Sequence, residues 1–419
     1  MVTWKYDVAV VGAGGRVGLP LSLVLVERGF RTVGLEIDKE KLQLLNRGQM
    51  PFYEREADEI LSKHIVGQTG QLMFIEDYSM LADCESIIIV PGTPLTNDHT
   101  PDTSQIRNVL ESAIKHIRPN HLIILRSTVS PGTTDQVREY LKSNLSSEVF
   151  DSLDITFAPE RLLQGHAMKE LYELPQIVGA YSERGYRRVA MIFEKLGVEV
   201  LHVKPIEAEL SKLFANNFRY IQFAIANEFF SICESLNVNF GRVREATNFN
   251  YSRSTIPYAG YVGGPCLGKD AWLLIKARGC HPSQSRLISS AYEINENLPE
   301  IAIQIAKKMI GTLNGKTVLV LGITFKRDSD DTRESPVHRL LNLTENEFVG
   351  NLVIHDPFAE PEDLTTKVAT ADVIFVGTNH SQYDDAAFLE HAKPDCLIVD
   401  IWYQLNPHLG HAYFVKEIG

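Results

Sequence analysis

Short, mostly apolar runs recur along this chain, and several open into a polar segment rich in glycine or proline. Residues 6–11 (YDVAVV), apolar but for Asp7, form the first, and a short apolar run of this kind predicts a buried parallel strand. It enters Gly12-Ala13-Gly14-Gly15-Arg16-Val17-Gly18-Leu19-Pro20 and then a helical stretch, LSLVLVERG, which Gly29 is placed to cap. A second strand over 31–37 ends on Glu36. Further strands are predicted at 86–90, 122–125 and 154–158. Loops at the carboxyl ends of such strands are where ligands gather in an open α/β sheet.

The pattern changes after Val203-Lys204-Pro205. Residues 206–236 lack glycine and proline and carry apolar side chains around most of a helical circumference, so a long helix is expected, buried in a core or against another subunit. Lys212 and Asn216, four apart, share one face of it, with Arg219 nearly in line. Burying a lysine and an asparagine there is costly unless they are paired or used. The alternative is a solvated stripe. Residues 248–261 lead into Gly263-Gly264-Pro265-Cys266-Leu267-Gly268-Lys269-Asp270, and helical segments continue to about residue 310. A second strand pattern then begins: 316–321, 351–355, 372–376 and, as the last strand, 396–400. The expected class is α/β: two Rossmann-like doubly wound domains joined by a central helical domain with one long helix. The boundaries fall at 1–204, 205–310 and 311–419, with an active site expected in the cleft between the two modules.

Composition narrows the possible functions. A formal net charge of -12 on 419 residues argues against nucleic acid as the main partner. Cys84, Cys233, Cys266, Cys280 and Cys396 are odd in number and widely spaced, which suits neither a disulfide framework nor a zinc site. The N-terminus enters a strand without a signal-peptide pattern, and no apolar run approaches the roughly 20 residues of a membrane helix. The expectation is a reduced, cytoplasmic chain with no membrane partner and no metal.

Candidate chemistry lies at the strand ends. Strand, glycine turn, helix and a second strand ending in an acid make a dinucleotide-binding unit: the turn brings a pyrophosphate to a helix N-terminus, and Glu36 suits the ribose hydroxyls of NAD. The spacing reads either GxGxxxG (Gly12, Gly14, Gly18) or AxGxxG (Ala13, Gly15, Gly18), and a purely structural turn is the bland alternative. If Lys269 and Asp270 open a helix, Cys266 lies near its dipole and a cation, which favours thiolate; otherwise it is a small buried cysteine. Thr128 follows one strand and offers a hydroxyl, and Glu160 follows another as a candidate base. Lys326, Arg327 and Arg333 suit a phosphate, unless Asp328, Asp330 and Asp331 simply pair with them.

Seven motifs in order make the chain resemble the nucleotide-sugar 6-dehydrogenase family over nearly its whole length. They are VGLP at 17–20, GTPL at 92–95, STVSPGTT at 127–134, APERLLQG at 158–165, the Lys212/Asn216 helix, GGPCLGKD at 263–270 and LGITFKRDSDDTRESP at 321–336. The resemblance implies two successive NAD-dependent oxidations at sugar C6, with Cys266 attacking the aldehyde and a thioester then hydrolysed. It implies that Lys212 and Asn216 stabilise charge on the C6 oxygen, that Glu160 serves hydrolysis, and that Thr128 and Asp270 hold a water. It adds Thr93, Thr128, Lys269 and Arg333 to the glycine turn and Glu36 as cofactor-binding positions. It groups Arg161, Leu162, Arg219, Arg253, Tyr258, Gly263 and Lys326 around the sugar nucleotide, with Arg333 also matching a gripping position. Pro159-Glu160-Arg161, Asn217-Phe218-Arg219 and Thr378-Asn379-His380 resemble the UDP-N-acetylhexosamine branch, whereas PYAGYVGG departs from it. UDP-glucose or GDP-mannose is the alternative substrate, and a non-catalytic binding protein the remote one. A homodimer, or a higher oligomer, is the expected assembly.

Overall fold

The computed structural model describes residues 3–253, 255–277 and 285–417; Cys280 lies outside them. The chain forms two compact units, Met1–Ala215 with Trp272–Cys280, and Asn216–Ala271 with His281–Gly419.

The first unit holds an eight-stranded sheet: β1 (Tyr6–Val11), β2 (Thr32–Leu35), β3 (Leu72–Ile75), β4 (Cys84–Ile89), β5 (Leu122–Leu125), β6 (Asp154–Phe157), β7 (Gln176–Ala180) and β8 (Val200–Val203), in the order β3-β2-β1-β4-β5-β6-β7-β8. All neighbours are parallel except β6 and β7, where Thr156 faces Ala180 in antiparallel register. Chain order reverses at β1 and β4, so the glycine turn after β1 lies at a topological switch point. Apolar residues on the two faces of the sheet form separate clusters, one around Val8, Val10 and Ile88, the other around Ala9, Val11 and Ile89. Burial on both faces is why β5 and the carboxyl-terminal halves of β1 and β4 are apolar.

The second unit has five strands: β9 (Thr317–Leu321), β10 (Asn351–His355), β11 (Val373–Val376), β12 (Leu397–Val399) and β13 (Ala412–Phe414), ordered β10-β9-β11-β12-β13. The expectation that the strand at 396–400 ends the sheet is corrected. β13 adds an antiparallel edge, with Ile398 opposite Tyr413. The helix Arg286–Ile310 packs Leu298, Ala302 and Ile305 into the cluster beneath this sheet.

The long helix is Pro205–Ser235, and the division between the units falls within it. Among the described residues, no helix is long and apolar enough to cross a membrane. The cysteine helix is Gly264–Ile275. Lys269 and Asp270 therefore do not open it; they lie beyond its first turn, and Cys266 is inside that turn. Pro265 explains the earlier start, because its fixed φ suits a first helical turn and it has no N–H to leave unpaired.

Asp400, immediately after β12, is fully buried. Its Oδ2 accepts the Leu405 N–H at 2.7 Å, while Oδ1 has no hydrogen-bond partner among the described residues. Burial pushes its carboxyl up to about 7. The folded value exceeds the unfolded one, so stability is fully present below the ordinary carboxylate range and is lost as pH rises through about 7. Asp400→Asn, neutral throughout, is expected to flatten the pH dependence of thermal unfolding between pH 4 and 8. Above pH 7 its gain over the parent should approach ~4 kcal/mol. Parallel pH profiles for the two proteins would contradict this.

Candidate active site

In the first unit, the turn after β1 is shaped by contact. Gly12 has φ +88°, and a Cβ on Gly18 would stand 2.3 Å from the Gly12 carbonyl oxygen. Gly14 donates its N–H to Glu36 Oε2 at 2.8 Å, and a Cβ on Gly14 would meet that oxygen at 2.5 Å. Gly15 has only ordinary contacts, so the three working glycines are those of the GxGxxxG reading. Glu36 is buried directly after β2, with Oε1 accepting the Asp38 N–H at 2.9 Å. Arg16 stacks over Phe52 at 4.8 Å, and Val17 precedes the helix Gly18–Glu27. A bare glycine turn feeding a helix, with a carboxylate at the end of the next strand, fits a dinucleotide.

The loops after β4 and β5 meet through Thr93, whose hydroxyl donates to the Thr128 carbonyl. Past β6, Glu160 accepts the Leu162 N–H. Lys212 is 5% exposed, and its Nζ lies 4.0 Å from Glu160 Oε2. It makes no hydrogen bond to any described residue. A buried ammonium in that condition is costly unless a ligand oxygen completes it. Arg161 turns away from this pair and donates to the Pro175 carbonyl. Its guanidinium is pushed down by burial, against the opposing charge of Glu160.

In the second unit, Asn216 Nδ2 donates to Asp270 Oδ2 at 2.6 Å, and Asn217 Nδ2 donates to the Asp270 carbonyl at 3.0 Å. Asp270 is 1% exposed. Its Oδ1 has Lys269 Nζ at 3.5 Å but, among the described residues, no hydrogen bond, leaving one buried acceptor available. Cys266 is exposed. The cysteine motif adjoins the TRESP segment: Gly264 donates its N–H to the Glu334 carbonyl at 2.7 Å, and a Cβ on Gly263 would meet Pro336 at 2.6 Å. Arg333 is held above its ordinary value first by its hydrogen bond with Asp331, with the Cys266 charge adding to the same effect. Arg333 Nη2 lies 2.7 Å from Asp331 Oδ2, so this acid does pair with a cation of the loop. Arg219 and Arg253 are exposed, Arg253 stacking on Tyr251 at 4.9 Å. Tyr258 is half-buried beneath the Arg244 guanidinium at 3.7 Å.

Three buried groups escaped the sequence reading. Arg126 Nη1 donates to the Ala158 carbonyl at 3.0 Å and to Gln176 Oε1 at 2.9 Å, while Gln176 Nε2 donates to the Pro159 carbonyl at 3.0 Å. Together they hold the two residues before Glu160. Burial pushes the Arg126 guanidinium down to about 10. Glu209, one turn before Lys212, accepts the N–H groups of Gly132 and Thr134 at 2.6 and 2.7 Å, tying the long helix to the loop after β5. Glu54 accepts the N–H groups of Gly165 and Ala167 at 2.9 and 2.8 Å and so fixes the end of the APERLLQG loop. Only Glu209 carried a signal, an acid three residues before Lys212 on the same helical face.

Residues 6–197 match the NAD binding domain of the UDP-glucose/GDP-mannose dehydrogenase family, 206–297 its central domain and 319–407 its UDP binding domain. The chain belongs to that family. This dehydrogenase is 29% identical to a UDP-N-acetyl-D-mannosamine dehydrogenase of Campylobacter jejuni, over 84% of this chain and 86% of that relative. The UDP-D-ManNAc dehydrogenase of Pyrococcus horikoshii superposes with a TM-score of 0.83 at 28% identity, covering 92% and 93% of the two chains. A UDP-glucose dehydrogenase of Pyrobaculum islandicum gives 0.86 at 25% identity, covering 97% and 96%. The protein is an NAD-dependent nucleotide-sugar dehydrogenase, an oxidoreductase.

Proposed function

We propose that this dehydrogenase oxidises the C6 hydroxyl of a UDP-N-acetylhexosamine to the carboxylate in two steps, through a covalent intermediate on Cys266. The observation that carries the reading is the buried, hydrogen-bond-poor Lys212 ammonium beside Glu160. It is a preorganised donor for an oxygen that gains negative charge. The glycine turn and Glu36 would hold NAD, which when bound would supply the hydride acceptor for each oxidation. In the first step the C6 alcohol loses a proton and a hydride to become the aldehyde, with Lys212 and Asn216 stabilising the oxyanion. The Cys266 thiolate then adds to the aldehyde carbon. Loss of the second hydride leaves a thioester. A water held by Thr128 and Asp270 and activated by Glu160 adds to that thioester, releasing carboxylate and thiol.

Curated relatives at 25–29% identity that carry the UDP-N-acetyl-D-mannosamine dehydrogenase name support the acetamido substrate, as does the PER motif at 159–161. The likeness to the Pyrobaculum islandicum enzyme favours UDP-glucose as the second reading. The test is the NADH yield per sugar consumed, run to completion on UDP-sugars with and without the 2-acetamido group. Two NADH per UDP-N-acetylhexosamine, with UDP-glucose silent, is expected. Two per UDP-glucose alone overturns the substrate, and one per substrate overturns the covalent mechanism.

The family matches support the assignment of residues 1–204 to NAD binding, 205–310 to a central domain and 311–419 to UDP-sugar binding. An exposed thiol working with NAD suits a cytoplasmic enzyme. A homodimer is supported by Phe218, Ile225, Phe229 and Ile232, which are 64%, 40%, 40% and 49% exposed at helical spacing along the long helix. Phe229→Asp is expected to halve the mass measured by light scattering. An unchanged mass would remove this face from the interface.

A further inference from the structure

The loop after β9 carries Lys326, which the nucleotide-sugar reading places against the substrate, and our inference rests on that reading. Lys326, Arg327 and Asp328 are consecutive, and hydrogen bonds hold each of them. Thr324 Oγ1 donates to the Lys326 carbonyl at 3.0 Å. Arg327 Nη1 donates to the Asn379 carbonyl at 2.9 Å, and the guanidinium pairs with Asp384. Asp328 Oδ1 accepts both the N–H and the hydroxyl of Ser381 at 2.9 Å. Asp328 itself has φ 54°, a conformation that a residue with a side chain holds only when its surroundings impose it.

His380 is at the centre of these contacts and is 0% exposed. Its Nδ1 accepts the Asp328 N–H at 3.0 Å, so the ring proton belongs on Nε2. Nε2 lies 3.1 Å from Asp356 Oδ2 and 3.0 Å from Thr324 Oγ1. The same Asp356 oxygen accepts the Ile323 N–H at 2.7 Å. The carboxylate thus orients the imidazole, and the imidazole presents a lone pair to the one backbone N–H that follows the two cations. Fully buried, with both nitrogens engaged, the ring is unsuited to exchange protons with a substrate. We infer that His380 is a positioning residue for the nucleoside diphosphate end of the substrate: its Nδ1 lone pair sets the Lys326-Arg327-Asp328 backbone and thereby the affinity for that group.

Two substitutions separate this role from general packing. His380→Asn keeps an acceptor oxygen near the Nδ1 position, whereas His380→Gln keeps a polar group near Nε2 and loses the Asp328 bond. UDP binding by the full chain is measured by calorimetry, with NAD binding as the control. His380→Gln is expected to weaken UDP roughly three- to tenfold, the effect of one hydrogen bond, with His380→Asn within about twofold of the parent. In turnover the loss appears in KM for the UDP-sugar, with kcat and the KM for NAD unchanged. Equal losses in both variants, or parent affinity in His380→Gln, overturn the inference. If neither variant folds, Asp328→Ala decides from the half-buried carboxylate of the loop: a similar loss for UDP supports the clamp, and none overturns it. Lys326→Ala tests the underlying reading separately. Parent affinity for UDP in that variant removes the loop from the nucleotide site. A weakened Lys326→Ala beside an unaffected His380→Gln overturns the positioning role alone.

Discussion

Cys266→Ser is expected to cut uronate formation at least about a thousandfold while leaving NAD binding intact. Serine fills the same place in the first turn of Gly264–Ile275 and keeps the backbone contact of Gly264 with Glu334. What it lacks is an accessible anion. A thiol ionises within reach of neutral pH when a helix N-terminus and a cation are near, and a serine hydroxyl without a dedicated base does not. Cys266 is exposed, within the first turn of its helix, and close enough for its charge to act on Arg333. The variant should therefore make the aldehyde and stop, yielding one NADH where the parent yields two. NAD binding is unaffected because its cradle is the turn Gly12–Gly18 with Glu36, to which Cys266 does not belong. Unchanged uronate production would falsify the covalent route.

How much of this was legible in the sequence depended on whether each feature was local. β1, β5 and the long helix were read within a residue or two, because their apolar runs are long or are bounded by glycine and proline. β3, β7, β8 and β13 went unread. β13 has three residues, too few for any period, and exists because Ile398 offers it a partner. β8 has exposed Leu201 and His202, so it shows no apolar run. The antiparallel turn of β7 against β6 is a matter of pairing, which composition cannot encode. The start of the cysteine helix is legible in Gly264-Pro265, a helix-start signal, whereas a start at Lys269-Asp270 places it more than a turn too late.

The site divides in the same way. Residues in motifs were identifiable one by one, and the structure adds which of them touch: Glu160 with Lys212, Asn216 with Asp270, Gly264 with Glu334. Their supports were not identifiable. Arg126 meets Gln176 across 50 positions, and His380 meets Asp328 across 52. Such contacts leave no periodic trace, because a side chain bonded to distant backbone constrains only its own position.

Lys212→Met is the variant whose two readouts should move differently. Methionine keeps the length and the apolar stem, so the packing of the long helix is preserved. If Lys212 served stability, its loss would lower the melting temperature by several degrees. Its surroundings argue otherwise: a 5% exposed ammonium that, among the described residues, has no carboxylate nearer than 4.0 Å and no hydrogen bond is a desolvated charge with incomplete compensation. Removing it relieves that cost, and stranding Glu160, which retains the Leu162 N–H, returns part of it. The melting temperature is therefore expected to stay within about 2 °C of the parent. Activity should fall about a hundred- to a thousandfold in kcat, the usual consequence of removing one donor from an oxyanion site. The loss should appear with the aldehyde as substrate as well as with the alcohol, because both steps place negative charge on the same oxygen. A variant within tenfold of the parent activity, or one that melts several degrees lower, would make Lys212 a structural partner of Glu160 and would remove the donor on which the oxidation depends.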